Sequence, residues 1–177
     1  MANTNLGSRG YSIIKEEYSS NFLNEIRRDL TVKPFINSGY GNEAPPFPVY
    51  CESKRKLYMP RFYGIKKFNI PKTNKIDNAE QIDIDFPLNL KPKQEPIVEA
   101  YMNAIKTNGG GGIISVPCGY GKTVIALYIA HALKLKTLVV VHKEFLLNQW
   151  KERIEQFLPT AKVGRIQSNI IKTEGND

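Results

Sequence analysis

One short segment, residues 117–123 with the sequence Pro-Cys-Gly-Tyr-Gly-Lys-Thr, constrains what this chain can fold into. It follows the apolar run 113–116, which suits a buried parallel strand, and it precedes residues 121–135, whose apolar positions predict a helix. A glycine-rich turn between a buried strand and a helix is typical of a phosphate-binding loop. The backbone N–H groups and the start of the helix both favour an anion there.

The residues of this turn supply each group that a nucleotide phosphate needs. Gly119 and Gly121 let backbone N–H groups turn inward, and Lys122 can reach the β- and γ-phosphates. The hydroxyl of Thr123 can be a ligand of the Mg²⁺ that accompanies the nucleotide. The strict pattern Gly-x-x-x-x-Gly-Lys-Thr would place glycine at position 116, where this chain has Val116. We therefore predict a nucleotide-phosphate site, and an ordinary surface turn is the alternative.

Residues 90–177 alternate between helical and strand patterns. Apolar spacing predicts three helices, over 93–107, 121–135 and 145–158. It also predicts two buried strands, over 113–116 and 137–141. The order strand–helix–strand–helix predicts a right-handed βαβ unit with a parallel sheet. The predicted fold class is therefore α/β, with an incomplete parallel sheet around the phosphate loop.

The preceding residues divide into a small module and a connector. Residues 1–68 predict an α+β module, with a helix capped by Ser19 or Ser20 and extended segments over 30–35, 47–51 and 56–63. Turn-forming residues fill 37–46. Residues 69–89 predict a partly extended, surface-exposed connector, in which the alternation of 82–86 could add a short edge strand.

Composition narrows the partners and the compartment. The 25 Lys and Arg against 17 Asp and Glu give a net charge of +8, which favours polyanions. Cys51 and Cys118 are too few for a disulfide framework, so we expect an intracellular, reducing compartment. No apolar run is long enough for a transmembrane helix, and the polar first ten residues do not resemble a secretory signal, so no membrane partner is expected.

A basic stretch of the front module also contains aromatic residues. Its cations include Lys54, Arg55, Lys56 and Arg61, and the interleaved rings are those of Tyr58, Phe62, Tyr63 and Phe68. This combination suits contact with nucleic-acid phosphates and stacking on bases. A solvated hairpin with aromatic residues in the core is the alternative.

The phosphate loop and its flanks resemble superfamily 2 helicases. Residues 117–123 resemble motif I of that superfamily, and 90–94 (Leu-Lys-Pro-Lys-Gln) resemble its Leu-Arg/Lys-Pro-x-Gln segment. Residues 137–150 resemble motif Ia. The resemblance implies a RecA-like domain that binds ATP and Mg²⁺, with Gln94 reading the adenine edge. For Tyr120, within the loop, two alternatives stay open: it lies along the nucleotide or it faces solvent. It also implies that His142 and Lys143 contact a DNA or RNA strand.

The front module resembles the leader of one helicase subgroup. Residues 29–34, 46–50 and 56–61 are similar to segments of xeroderma pigmentosum B-type helicases, phage repair helicases and relatives in large nucleocytoplasmic DNA viruses. The amino-acid sequences of the loop and of residues 142–146 are similar to those of the viral members. The resemblance implies the N-terminal part of an ATP-dependent nucleic-acid helicase.

The superfamily also uses an Asp-Glu-x-His/Asp box and a second motor domain with arginine fingers, and neither is found in these 177 residues. We therefore expect that the chain alone binds but does not hydrolyse ATP, and that it associates with the remaining helicase segment or another chain. Two alternatives stay open: a non-enzymatic nucleic-acid-binding module with a vestigial loop, and a different P-loop protein such as a kinase. Gln94 and the helix after position 141 argue against the second.

Overall fold

The computed structural model describes residues 3–34, 44–107, 110–173 and 175–176, and it divides after Asp77 into two units. Unit 1 comprises Met1–Asp77 and unit 2 comprises Asn78–Asp177. The division falls inside the segment predicted as a connector. No helix of the described residues is long and apolar enough to cross a membrane.

Unit 1 is built on a five-stranded sheet with the order β5-β6-β2-β1-β7. Its neighbours pair antiparallel except for β1 and β7, which are parallel. The strands are β1 (Asn5–Gly7), β2 (Gly10–Ile14), β5 (Cys51–Glu52), β6 (Lys56–Met59) and β7 (Thr73–Asn74). The short strands β3 (Thr31–Val32) and β4 (Phe47–Pro48) form a separate antiparallel pair.

Two helices of unit 1, α1 (Ser20–Asp29) and α2 (Arg61–Phe68), contribute to its core. The hydroxyl of Ser19 accepts a hydrogen bond from the Phe22 N–H, which confirms the predicted helix cap. The core joins apolar residues of β1, β2 and β6 to those of α1, and its members are Leu6, Tyr11, Ile13, Leu23, Ile26, Leu30, Leu57 and Met59. Because side chains alternate along a strand, these sheet residues all lie on one face.

Several predictions for unit 1 were wrong in detail. The hairpin of β1 and β2 was missed, because its glycines and polar residues weaken the strand pattern. The strand predicted over 56–63 ends at Met59, since Pro60 lacks the N–H that a strand ladder needs, and α2 begins at Arg61. The segment 47–51 divides between β4 and β5. Residues 35 and 37–43 of the other predicted segments lie outside the described residues.

Unit 2 contains the three predicted helices, α3 (Glu95–Thr107), α4 (Lys122–Leu133) and α5 (Glu144–Phe157). An antiparallel hairpin of β8 (Arg165–Gln167) and β9 (Ile170–Lys172) follows, which the sequence had not indicated. One apolar cluster joins α3 to α4 through Val98, Ile125 and Ile129. A second cluster joins α4 to α5, and its buried members are Ile82, Ile84, Leu127 and Leu158.

The prediction of two buried strands within unit 2 was wrong. Residues 113–116 and 137–141, all within the described part, form no strand, and Ile113 is 95% exposed while Leu138 is 77% exposed. A strand needs neighbours for its N–H and C=O groups. The nearest pairing is an isolated bridge between Gln81 and Leu135. The α/β class itself is confirmed, but these apolar runs are not buried.

The segment 82–86 is also different from its prediction as exposed connector. Ile82 and Ile84 are buried in the cluster between α4 and α5, and Phe86 packs against it. The alternation with Asp83 and Asp85 therefore reflects a segment that buries its isoleucines in unit 2 and exposes its aspartates.

Candidate nucleotide and nucleic-acid sites

The phosphate loop adopts the backbone that its glycines predicted. Gly119 has a φ of 80° and Gly121 a φ of 75°, both in the left-handed region that favours glycine. A Cβ on Gly121 would also lie 2.5 Å from Nε2 of Gln94. The left-handed backbone favours glycine at position 121, and a side chain there would displace the Gln94 amide from the loop.

Helix α4 starts directly at this loop, with Gly121 as its N-cap residue. The first turn, whose residues are all described, has no side-chain cap and no acidic residue. The N–H groups at a helix start carry a partial positive charge. An anion at this end of α4 would therefore meet no competing carboxylate from the helix.

Gln94 lies behind the loop and is only 4% exposed. Its Oε1 accepts a hydrogen bond from the Lys91 N–H at 2.9 Å, and its Nε2 donates to the Tyr120 carbonyl at 2.9 Å. The amide thus ties the segment before α3 to the loop before α4. Gln94 therefore positions the loop. The bond to Tyr120 uses one of the two Nε2 hydrogens, so the second hydrogen can still be donated to another partner.

Two lysine side chains lie against the loop backbone. The Lys122 Nζ donates to the Pro117 carbonyl at 2.9 Å, and the Lys93 Nζ donates to the Gly119 carbonyl at 3.2 Å. Lys93 also lies 4.7 Å from the centre of the Tyr120 ring, within range of a cation–π contact. Sequence reasoning missed Lys93, although its place next to Gln94 was a usable signal.

Thr123 and Cys118 lie where the motif places them. Thr123 is in the first turn of α4, immediately after Lys122 and partly buried. Cys118 is a free, exposed thiol in the loop. Thr123 thus occupies the position after Lys122 at which the motif has its hydroxyl residue.

The start of α5 carries the two residues predicted to contact a strand. Lys143 is its N-cap residue, without a side-chain cap bond, and both His142 and Lys143 are exposed. Glu144 follows in the first turn, and its carboxylate is 3.5 Å from Arg165 of β8. The ion pair partly offsets the negative charge at this helix start.

The predicted basic residues of unit 1 separate in the structure. Lys54 and Arg55 lie in the turn between β5 and β6, and Lys56 opens β6. Arg61 lies instead at the start of α2, with its guanidinium carbon 5.8 Å from the centre of the Phe62 ring. The structure brings the first three together and leaves Arg61 apart.

The aromatic residues of that stretch separate too. Tyr63 and Phe68 pack against the core, while Tyr58 points to the other face of the sheet. Arg9, which sequence reasoning missed, lies 5.6 Å from the centre of the Tyr58 ring. The β1–β2 hairpin places it there, so its signal was the Gly-Ser-Arg-Gly turn sequence.

Two other conspicuous side chains are structural. The Nδ1 of His131 lies 2.7 Å from the Ile84 carbonyl, and the ring contacts Phe86 and Tyr128. Trp150 packs against the cluster between α4 and α5. Both side chains therefore contribute to the packing of unit 2.

The left-handed glycines, the lysine and the helix start define unit 2 as a P-loop protein. Residues 87–177 match the family described as "Type III restriction enzyme, res subunit", and the chain belongs to this family of helicase domains. The resemblance to superfamily 2 helicases is thereby confirmed.

The relatives extend the match into unit 1. One relative is a protein of Acanthamoeba polyphaga mimivirus that is named as an ATP-dependent RNA helicase (L396). It is 37% identical over 169 residues, which cover 92% of this chain and 32% of that protein. A protein of Invertebrate iridescent virus 3, whose name proposes a helicase (109L), is 29% identical over 170 residues, or 88% of this chain and 50% of that protein.

A cellular relative shares a shorter stretch. The DNA 3'-5' translocase XPB2 of Sulfurisphaera tokodaii is 32% identical over 103 residues, or 55% of this chain and 22% of that protein. The chain thus spans between about a fifth and a half of these three relatives. The similar proteins are viral helicases and XPB-like helicases, as the residues had implied.

Proposed function

We propose that this chain is the ATP-binding first part of an ATP-dependent nucleic-acid helicase. Its family and its helicase-named relatives support the helicase assignment. Because the chain spans only part of those relatives, the activity of the whole protein belongs to the proposal. The viral relatives also support a viral origin.

The observation that carries ATP binding is the loop between positions 117 and 123. Two left-handed glycines precede a helix start without an acidic residue, and the Lys122 amine already lies against the loop. Lys122 would bind the phosphates, and Thr123 would hold the Mg²⁺ that arrives with ATP. ATP hydrolysis in the complete helicase would supply the free energy for strand movement. The residues of this chain bind and orient the nucleotide.

Titration of the 177-residue chain with a fluorescent ATP analogue and Mg²⁺ tests this proposal. Lys122→Ala should weaken binding at least about tenfold, because a charge-assisted contact to phosphate is lost. Lys151→Ala, which removes an exposed lysine of α5, is the matched control and should leave the affinity unchanged. Equal affinity of the Lys122 variant and the parent chain would contradict the proposal.

The role of Gln94 requires a separate experiment, because its amide already bonds to the loop. If Gln94 also reads adenine, Gln94→Ala should weaken ATP binding more than GTP binding. If it only positions the loop through Tyr120, both affinities should fall by the same factor. The ratio of the two dissociation constants, measured by competition, distinguishes these roles.

We propose that His142 and Lys143 contact a nucleic-acid strand at the start of α5. Their exposure and the helix N-terminus suit a phosphate there. Replacing both with alanine should lower the affinity for nucleic acid and reduce its salt dependence, while ATP binding stays intact. A chain that binds nucleic acid but not ATP would favour the module with a vestigial loop.

A further inference from the structure

The two faces of the unit 1 sheet are different in chemistry. The face that bears Tyr11, Ile13 and Leu57 forms the apolar core. Register places the other side chains on the opposite face: Asn5 pairs with Ser12, Ser12 with Tyr58, and Ile14 with Lys56. We call this second surface, defined by Asn5, Ser12, Ile14, Lys56 and Tyr58, the outer face. None of these five residues belongs to the core cluster.

Tyr58 is the aromatic residue at the centre of the outer face. Two open depressions flank it, with volumes of about 490 Å³ and 210 Å³, and Tyr58 and Lys56 line both. Gly7 and Gly10, which pair at the hairpin end, are among the residues that line the smaller depression. The ring is therefore reachable from the side of the hairpin and from the side of the β5–β6 turn.

The charge of the outer face has one sign. The larger depression is lined by Lys54, Arg55 and Lys56, and the smaller one by Arg9, Lys56 and Lys75. Among the described residues, none that lines either depression carries a carboxylate. Unit 1 as a whole has 13 Lys and Arg against 7 Asp and Glu, so most of the net charge of +8 lies in this unit.

The nearest acidic side chain of the sheet points away from this surface. Glu52 pairs with Leu57 in the register and therefore lies on the core side. There it forms ion pairs with Arg27 of α1 at 2.6 Å and with Lys15 at 3.1 Å. The cations of the outer face are thus left available for an external polyanion.

We propose that the outer face of unit 1 binds a single-stranded nucleic acid, with a base stacked on Tyr58 and phosphates held by the surrounding cations. An unpaired strand fits better than a duplex, because a stacking ring needs the exposed face of a base. The Arg9 guanidinium lies over the Tyr58 ring, so a base that stacks on that side takes its place, and the flexible Arg9 side chain can then contact the base or a phosphate. The site is separate from the nucleotide loop and does not depend on ATP binding.

Fluorescence anisotropy of the whole chain with a labelled 20-nucleotide oligo(dT) tests the stacking. Tyr58→Leu should weaken binding about tenfold, the loss expected for one stacked base. Tyr58→Phe keeps the ring and should retain the parent affinity. Phe62→Leu removes a half-exposed ring on α2, away from the outer face, and is the matched control. Unchanged affinity of a folded Tyr58→Leu variant would overturn the proposal.

A second variant guards against a folding defect in the strand. Arg9→Gln changes only the exposed hairpin turn and should weaken oligo(dT) binding about threefold. The double variant Lys54→Gln/Lys56→Gln should also reduce the salt slope, by about 0.7 for each lost phosphate contact. If all these variants bind as the parent does, the outer face is not the site.

Two comparisons separate this site from the others. Replacing His142 and Lys143 with alanine should leave the effect of Tyr58→Leu at the same ratio, because the outer face lies in unit 1. Lys122→Ala should not change oligo(dT) affinity measured without nucleotide, so failure of the ATP proposal would be visible separately. Equal affinity for a duplex, with no effect of Tyr58→Leu, would indicate phosphate attraction alone and would contradict the proposal.

Discussion

Units 1 and 2 differ in the burial of their apolar, β-branched segments. In unit 1, Ile13 of β2 and Leu57 of β6 are fully buried between paired strands and helices. In unit 2, Ile113 is 95% exposed and Val140 is 81% exposed, although their sequence surroundings are at least as apolar. Burial of a β-forming run therefore follows from strand pairing, and hydropathy alone does not decide it.

The difference has a physical cause in the backbone. Each strand of the unit 1 sheet has a partner for its N–H and C=O groups, so its side chains can enter the core without unpaired polar groups. The helices of unit 2 satisfy their own backbone groups and form two apolar clusters. Residues 113–116 and 137–141 form no strand in the described part, and none of their side chains is fully buried: Ile113, Leu138 and Val140 are exposed, while Ile114 is half-buried against the cluster of α3 and α4.

The largest expected effect is on the core of unit 1. Leu57→Ala should lower the free energy of unfolding by about 3 kcal/mol, since a fully buried leucine leaves a cavity. Ile113→Ala should change it by less than about 0.5 kcal/mol, because the side chain is almost wholly exposed. Urea unfolding by far-UV circular dichroism measures the first effect.

Emission of Trp150, the single tryptophan of the chain, measures the second, because it packs in unit 2. A comparable loss in both variants would show that the apolar run at 113–116 is buried in solution, and the contrast between the units would fail.

A smaller effect is expected at a glycine where a helix approaches the sheet. A Cβ on Gly64 of α2 would lie 2.2 Å from Cγ of the buried Tyr11 ring. Gly64→Ala should therefore cost about 2 kcal/mol, as overpacking of a core does. In unit 2, Gly112→Ala is the control, because its Cβ would make an ordinary 3.5 Å contact with Tyr101. Thermal unfolding of the two variants should rank them in this order.

The smallest effect is the pH dependence of an ion-pair network. The hydrogen bond from Arg27, followed by that from Lys15, holds the pKa of the Glu52 carboxyl below its ordinary value of 4.5. This stabilisation is present above about pH 4.5 and is lost as the pH falls through the folded-state pKa. Glu52→Gln should lower the free energy of unfolding at pH 7 by only about 0.5–1 kcal/mol, because the pair is partly exposed. The effect should be smaller at acid pH, because Glu52 is then protonated.

Asp83→Asn is the matched control in unit 2. Its partner Lys134 is 62% exposed and Asp83 is 90% exposed, so solvent screens the pair. Stability curves between pH 3 and pH 7 should change for the Glu52 variant alone. If the free energy of unfolding falls toward pH 3 in the same way in the Glu52 variant and the parent, Glu52 is not the source of this pH dependence.

Local sequence signals predicted helices α1, α3, α4 and α5, but not α2, and they predicted the glycine-rich turn before α4. The caps, periodic apolar residues and glycines act within a few residues, so α1, α3, α4 and α5 were predicted close to their observed bounds. The same reason explains the loop: Gly119, Gly121 and Lys122 are adjacent in the chain. Long-range pairing was not predictable in this way. The strands predicted in unit 1 were accordingly wrong in detail, and those predicted over 113–116 and 137–141 in unit 2 were wrong.

The candidate nucleic-acid residues show the same division. The sequence indicated a basic, aromatic stretch, but it could not separate Tyr58 from Tyr63 and Phe68. Their direction depends on where β6 ends and α2 begins. Arg9 lies 49 positions before Tyr58, and only the pairing of β2 with β6 brings the two together.

By itself, the sequence determined the helicase family, four of the helices and the glycine-rich turn of residues 117–123, because these depend on neighbouring residues. The tertiary structure alone decided that Gln94 bonds to the loop, that Ile82 and Ile84 are buried, and that Ile113 is exposed. It also decided that one sheet face carries Tyr58 among cations. Each of these features depends on which distant segments share hydrogen bonds and apolar contacts, and no local pattern of residues records that choice.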